Sequence, residues 1–205
     1  MTSTTTTTST VTSADGTRIA YESSGTGPVL VLVDGAMCFR GMGPSRDLTE
    51  HLRDRFTVVS YDRRGRGGSG AGSSPWSLER ELDDLAAVLE ATGGRASLLG
   101  VSSGAVLVLE AARRGLPVER VVGYEAPFIL DDSQAPTDPG FPEHVQRLVD
   151  EGRRSEAVRA FFRLVGVPTV VRGVMRVLPV WSRLTSIAHT LPYDLALTVP
   201  RQQGR

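Results

Sequence analysis

The stretch Ala96-Ser97-Leu98-Leu99-Gly100-Val101-Ser102-Ser103-Gly104-Ala105-Val106-Leu107-Val108-Leu109-Glu110-Ala111-Ala112 decides how the rest of the chain is read. Ala96 to Leu99 is an apolar run of strand length, and Ser103 to Arg114 reads as a buried helix stopped by Gly115. Between them, Gly100-Val101-Ser102-Ser103-Gly104 matches G-x-S-x-G, a serine on a tight strand-to-helix turn. The glycines let the backbone make that turn without side-chain clash. The bare pentapeptide is weak evidence in a chain with 22 Gly. The strand before it and the helix after it give it weight, and Ser102 becomes the candidate nucleophile.

Working outward, Val29-Leu30-Val31-Leu32-Val33 is a continuous apolar run between Gly27-Pro28 and Asp34-Gly35. A run without alternation suits a strand buried on both faces. Phe56 to Tyr61 and Val121 to Tyr124 read the same way. Helical patterns lie between the runs: Pro44 to Leu52, then Ser77 to Ala91, with Ser77 as N-cap and Gly93-Gly94 as the stop. Alternating strand and helix predicts a mostly parallel α/β sheet flanked by helices. A hairpin at Thr10 to Ser13 and Thr17 to Glu22, turning at Ala14-Asp15-Gly16, opens the fold.

Asp131 to Gly140 is polar and Pro-rich and reads as a linker. Beyond it the helical segments Pro142 to Gly152, Ser155 to Val165, Pro168 to Val177 and Pro179 to Leu191 follow with no strand between them, each opening on Pro or Ser. The expected organisation is a disordered tail at 1–12, an α/β core at 13–130, a helical cap or lid at 131–197 and a polar tail at 198–205.

Composition narrows the function. Of the 205 residues 40% are hydrophobic, enough for one sizeable core. Lys plus Arg and Asp plus Glu are 23 each, so no net field draws the chain to nucleic acid or an anionic membrane. The short clusters Arg63-Arg64-Gly65-Arg66, Arg113-Arg114 and Arg153-Arg154 read as solvated loops and helix ends. The single cysteine, Cys38, excludes an intramolecular disulfide and a cysteine-based zinc site, and points to the cytoplasm. Met1 to Thr12 has neither a basic start nor an apolar core, so it reads as no signal peptide. No run reaches the roughly eighteen apolar residues of a membrane span. The sequence does not set the oligomeric state.

Four loops, in order, carry a resemblance: Val33-Asp34-Gly35-Ala36, Tyr61-Asp62-Arg63-Arg64-Gly65-Arg66-Gly67-Gly68-Ser69, the Ser102 turn, and Tyr124-Glu125-Ala126-Pro127. In these the chain resembles the α/β-hydrolase superfamily over residues 10–130, the second loop matching a recurrent strand-Asp-x-R-G-x-G-x-S pattern. The resemblance implies hydrolysis of a small ester- or amide-type substrate through an acyl-serine intermediate, with no cofactor and no metal. It implies oxyanion donors at the backbone N–H groups of Ala36 and Ser103. Asp34 departs from the usual His before Gly35 and puts a negative charge near that hole.

The larger departure concerns the base. The family keeps its histidine after the last strand, and the chain stops before such a segment, with the two closing strands also absent. His51, His144 and His189 are the histidines available, and each reads as surface or structural. Glu125 is a candidate acid, by resemblance to members that carry it after the sixth strand of the full fold. Asp62 reads as a loop-fixing partner for Arg64 or Arg66. Cys38 lacks a positioned histidine and reads as buried. Trp76, Trp181, Phe161, Phe162 and Met175 suit an apolar lining or a lid core. An alternative reading is a truncated or degenerate homologue that binds ligand or partner without turnover. An aspartate-nucleophile dehalogenase or epoxide hydrolase fails because Ser102 occupies the turn.

Overall fold

In the computed structural model, which describes residues 6–129 and 137–202, the chain divides into two compact units at Pro127/Phe128. The first unit holds a six-stranded sheet built from β1 (Thr7–Thr12), β2 (Arg18–Ser24), β3 (Val29–Val33), β4 (Thr57–Tyr61), β5 (Ala96–Val101) and β6 (Val118–Tyr124). The strand order is β1-β2-β4-β3-β5-β6. β1 and β2 are antiparallel to each other, β2 is antiparallel to β4, and β4, β3, β5 and β6 run parallel. Among the described residues no strand follows β6. β6 forms one edge of the sheet, with Val122 and Tyr124 exposed.

Three helices cover the sheet: α1 (Ser45–Leu52), α2 (Leu78–Ala91) and α3 (Ser103–Arg113). The apolar runs explain the layering, because successive strand residues point to opposite faces. Val31, Val33, Val59, Tyr61 and Leu98 meet Leu82, Leu85, Val88 and Leu89 of α2 and Leu107, Val108 and Ala111 of α3. On the other face Leu30, Leu32 and Val58 are covered by Leu48 and Leu52 of α1. Ser77 caps α2 as expected, its hydroxyl accepting from the Arg80 N–H at 3.3 Å.

Part of the expected N-terminal tail is strand. Residues 7–12 form β1, because a Thr-rich segment is rich in β-branched residues and its backbone pairs along its whole length with β2, from Thr7 with Ser23 to Thr12 with Arg18. Residues 1–5 lie outside the described residues.

The second unit is helical: α4 (Phe141–Asp150), α5 (Arg154–Leu164), α6 (Thr169–Met175), α7 (Val180–Ser186), a 3₁₀ turn (Ala188–Thr190) and α8 (Leu191–Gln202). The helix expected over Pro179 to Leu191 is therefore three pieces. Pro192 explains the break, since a proline cannot continue a helix from Ala188 but fits the first turn of a new one. The expected polar tail is corrected too. Residues 198–202 continue α8, with Val199 buried and the Thr198 hydroxyl donating to the Asp194 carbonyl at 2.9 Å. The expected linker falls largely on residues 130–136, outside the described set. Phe162 is buried and meets Trp181 edge-on at 6.4 Å, whereas Met175 is half-buried on α6, a helix that buries none of its residues.

Candidate active site

Backbone strain marks the site before any side chain does. Among the described residues three non-glycines have positive φ: Met37 (61°), Ser102 (54°) and Glu125 (51°). Each stands just beyond the C-terminal end of a parallel strand, β3, β5 and β6, and these three strands are neighbours in the sheet. Such conformations cost about 1–3 kcal/mol each and persist where the surroundings over-determine them. The chain leaves β3 toward β4 on one side and later places β5 on the other. This is the reversal of strand order at which open α/β sheets bind ligands.

The turn at Ser102 requires its glycines. A Cβ on Gly100 would lie 2.3 Å from the Gly104 carbonyl oxygen, and one on Gly104 would lie 2.1 Å from that of Val33. α3 thus starts against the end of β3, and Ser102 has no room for a relaxed backbone. Its N–H donates to the Tyr124 carbonyl at 2.9 Å. Among the described residues of the first unit the Ser102 hydroxyl has no hydrogen-bond partner.

The loop after β3 lies beside this serine. A Cβ on Gly35 would stand 3.0 Å from Ser102 Cβ and 3.6 Å from its Oγ. The Ala36 N–H has no acceptor among the described residues. Asp34 is buried, with an oxygen 3.2 Å from the position a Gly43 Cβ would take. Burial holds its carboxyl above the ordinary carboxylate range, outweighing the pull of Ser45, at the start of α1, and of Arg66. The charge expected near the hole is thus turned toward the start of α1. Glu125 follows Tyr124, which pairs with Val101, so it sits across from Ser102. Its side chain is exposed, without a hydrogen bond among the described residues.

The arginine cluster overturns its expected role. Arg63, Arg64 and Arg66 are each 1% exposed, although the loop read as solvated. Arg63 donates through Nε and Nη2 to the two Glu81 oxygens at 3.0 and 2.7 Å, and through Nη1 to the Ser103 hydroxyl at 3.2 Å and the Asp34 carbonyl at 3.4 Å. Arg64 holds both oxygens of Asp84 at 2.7 Å and reaches Asp15 of the β1–β2 turn at 3.0 Å. Arg66 donates to the Gly35 carbonyl at 2.7 Å and that of Cys38 at 3.3 Å. A buried guanidinium needs this many acceptors. The signal was in α2: Glu81 and Asp84 fall within or beside the stripe of Leu78, Leu82 and Leu85, where a carboxylate needs a buried cation as its partner.

Asp62 is corrected as well. It accepts from the Arg40 backbone N–H and Nη2 at 2.7 and 3.1 Å and from the Gly68 N–H at 2.7 Å, so its partners are Arg40 and the loop backbone, in place of Arg64 or Arg66. Trp76, expected in an apolar lining, donates from Nε1 to Glu81 at 3.0 Å. Cys38 is only partly buried.

The three histidines lie as follows. His51 is exposed in the last turn of α1, which leads into the N-terminal end of β4 and so away from the strand ends that carry Ser102; its Nδ1 is 2.7 Å from the Asp47 carbonyl. In the second unit His144 is exposed on α4, beside Phe141, and His189 Nδ1 is 3.1 Å from the Ser186 carbonyl. Among the described residues no group of three or more His, Cys, Asp or Glu converges to hold a metal ion, and no helix is long and apolar enough to cross a membrane.

Comparison with known proteins places the fold. A solved α/β hydrolase from Sphaerobacter thermophilus is 47% identical, with a TM-score of 0.85 over 92% of this chain and 73% of that one. The hydrolase YraK of Bacillus subtilis is 29% identical over 155 residues, which make up 73% of this chain and 55% of YraK, so the chain spans about half the length of that relative. A solved hydrolase from Pseudomonas aeruginosa is 23% identical with a TM-score of 0.72, a likeness of fold alone. The family model described as the alpha/beta hydrolase family matches residues 25–202, and the chain belongs to that family.

Proposed function

We propose that the chain hydrolyses a small ester- or amide-type substrate through an acyl-serine intermediate on Ser102. One observation carries the reading: a serine held at φ 54° between two glycines that admit no side chain, its hydroxyl unpaired within its unit, beside a loop whose Ala36 N–H has no acceptor. Ser102 Oγ attacks the substrate carbonyl and its proton passes to water, the acceptor that remains when no histidine serves as base. The negative oxygen that forms is held by the Ala36 and Ser103 N–H groups. Collapse expels the alcohol or amine, and water then releases the acid.

The base is none of the three histidines in this reading. The helix end that carries His51 points away from Ser102, and His144 and His189 belong to the second unit, not the one that holds Ser102. Glu125, across from Ser102, is the acid. The reaction calls for no cofactor, and the lone Cys38 fits a reducing cytoplasm.

A fluorophosphonate probe tests the assignment. Labelling is expected to be slow, because no histidine activates Ser102 in this reading, to fall on Ser102 and to vanish in Ser102→Ala. Labelling that survives the substitution removes Ser102 from the mechanism.

A further inference from the structure

We propose that Arg66 is a positioning residue of the oxyanion hole, gripping the carbonyl of the very peptide whose N–H is the Ala36 donor. The proposal rests on the reading of Ala36 as an oxyanion donor. It concerns an x position of the Asp-x-R-G-x-G-x-S pattern at Asp62–Ser69.

The geometry is that of one peptide plane. The Gly35 carbonyl and the Ala36 N–H belong to the same trans unit and point in opposite directions. Arg66 Nη1 donates to that carbonyl at 2.7 Å. A donor fixed on the oxygen aims the N–H to the opposite side, and the positive charge draws electron density from the amide, which makes its N–H a stronger donor. Because Arg66 is 1% exposed, water does not screen this effect.

A second observation is independent of the first. The same Nη1 reaches the Cys38 carbonyl at 3.3 Å, so its two acceptors bracket Met37. That residue is held at φ 61° and is 4% exposed. A bulky residue stays in the left-handed region only where its surroundings over-determine it. Arg66 grips the peptides one removed from Met37 on each side, Gly35–Ala36 before it and Cys38–Phe39 after it. Arg63 serves the other half of the site, joining the Asp34 carbonyl to the Ser103 hydroxyl.

The test uses the full chain, ¹⁵N-labelled, as wild type, Arg66→Met and Arg66→Lys. The Ala36 amide proton is expected to move upfield in Arg66→Met and by less in Arg66→Lys, with amides of α2 and β1 unchanged. A second measurement is the binding of phenylboronic acid, which forms a tetrahedral adduct on a serine. Affinity is expected to fall on the order of tenfold in Arg66→Met, less than the loss from deleting a donor outright. Adduct formation that depends on Ser102 but is untouched by both Arg66 variants overturns the proposal and leaves the serine reading standing. If Ser102→Ala binds the boronate as well as wild type does, the serine reading falls, and the Ala36 shift alone decides the role of Arg66. An Ala36 resonance that stays in place in both variants overturns the proposal on its own. Should Arg66→Met fail to fold by near-ultraviolet circular dichroism, Arg66→Lys, which keeps the charge, carries both measurements.

Discussion

Replacing Glu81 with alanine isolates what the buried arginines cost when they lose a partner. Glu81 is 0% exposed and takes both the Nε and Nη2 hydrogen bonds of Arg63, itself 1% exposed, with Trp76 as a third donor. Burial alone pushes the Glu81 carboxyl up; the charge and hydrogen bonds of Arg63, with help from Arg66 and Trp76, outweigh it and hold the group below its ordinary range. The substitution leaves a guanidinium in the core with two donors unmet. Breaking such a pair from one side costs about 3–5 kcal/mol, a large part of the 5–15 kcal/mol typical of a folded domain. At about 2–4 °C per kcal/mol for a chain of this size, the midpoint falls by roughly 10 °C. Thermal unfolding followed by circular dichroism reads this directly, with Glu81→Gln, which keeps an acceptor for Trp76, expected in between. Replacing both partners, Arg63→Met with Glu81→Leu, is expected to recover part of the loss. Recovery stops short because the Asp34 carbonyl and the Ser103 hydroxyl still lose a donor. A loss under about 1 kcal/mol for Glu81→Ala, the range of solvent-screened surface pairs, would refute the reasoning.

Asp15 supplies a pH test. The Thr17 hydroxyl, then the Thr17 N–H and Arg64, lower its pKa from 3.8 to about 2. The unfolded chain therefore binds the proton first as pH falls, and the stabilisation is present above about pH 4 and lost as pH drops through 2. Urea titrations should show Asp15→Asn weaker than wild type at pH 7 and the gap closing toward pH 2; a constant gap counts against this. Gly104→Ala puts a methyl 2.1 Å from the Val33 carbonyl oxygen, and a loss of about 1–3 kcal/mol or more in unfolding free energy is expected. Wild-type-like stability would mean that α3 shifts freely against β3. On the reading that none of His51, His144 and His189 serves Ser102 as base, turnover of p-nitrophenyl acetate is expected at about 10³–10⁴-fold over water at most. Glu125→Gln should lower that rate further and shift stability by no more than about 0.5 kcal/mol, as Glu125 is exposed. A fast rate that His189→Ala abolishes would instead make His189 the base.

The sheet was legible because its strands are continuous apolar runs, and Val29 to Val33 needs no tertiary information to be read as buried on both faces. The strained turn at Ser102 was legible because strand, G-x-S-x-G and helix follow without a gap. The arginines were not. A one-dimensional reading sorts charge to the surface, and only the folded loop shows Arg63 threaded between Glu81, Asp34 and Ser103. The hairpin of Thr10 to Thr12 with β2 was legible, but the first half of β1 was hidden for a related reason: Thr7 to Ser9 has no apolar residue to announce a strand, and its pairing with β2 supplies the hydrogen bonds that hold it. The expected polar tail failed at α8 because Pro200 and Arg201 resemble a chain end, while Leu195, Leu197 and Val199 are buried among helices.

The placement of the two tryptophans gives each half of the molecule its own optical signal. Trp76 sits in the first unit with its indole N–H on a buried carboxylate, and Trp181 in the second, its N–H on the Ser155 hydroxyl and its ring edge-on to Phe162. Their emission spectra should differ, because the two rings experience different local fields. Trp181→Phe leaves a reporter that follows only the sheet, and Trp76→Phe leaves one that follows only the helices. Denaturation curves of the two single-tryptophan proteins would then tell whether the helical half melts as a body of its own or only together with the sheet.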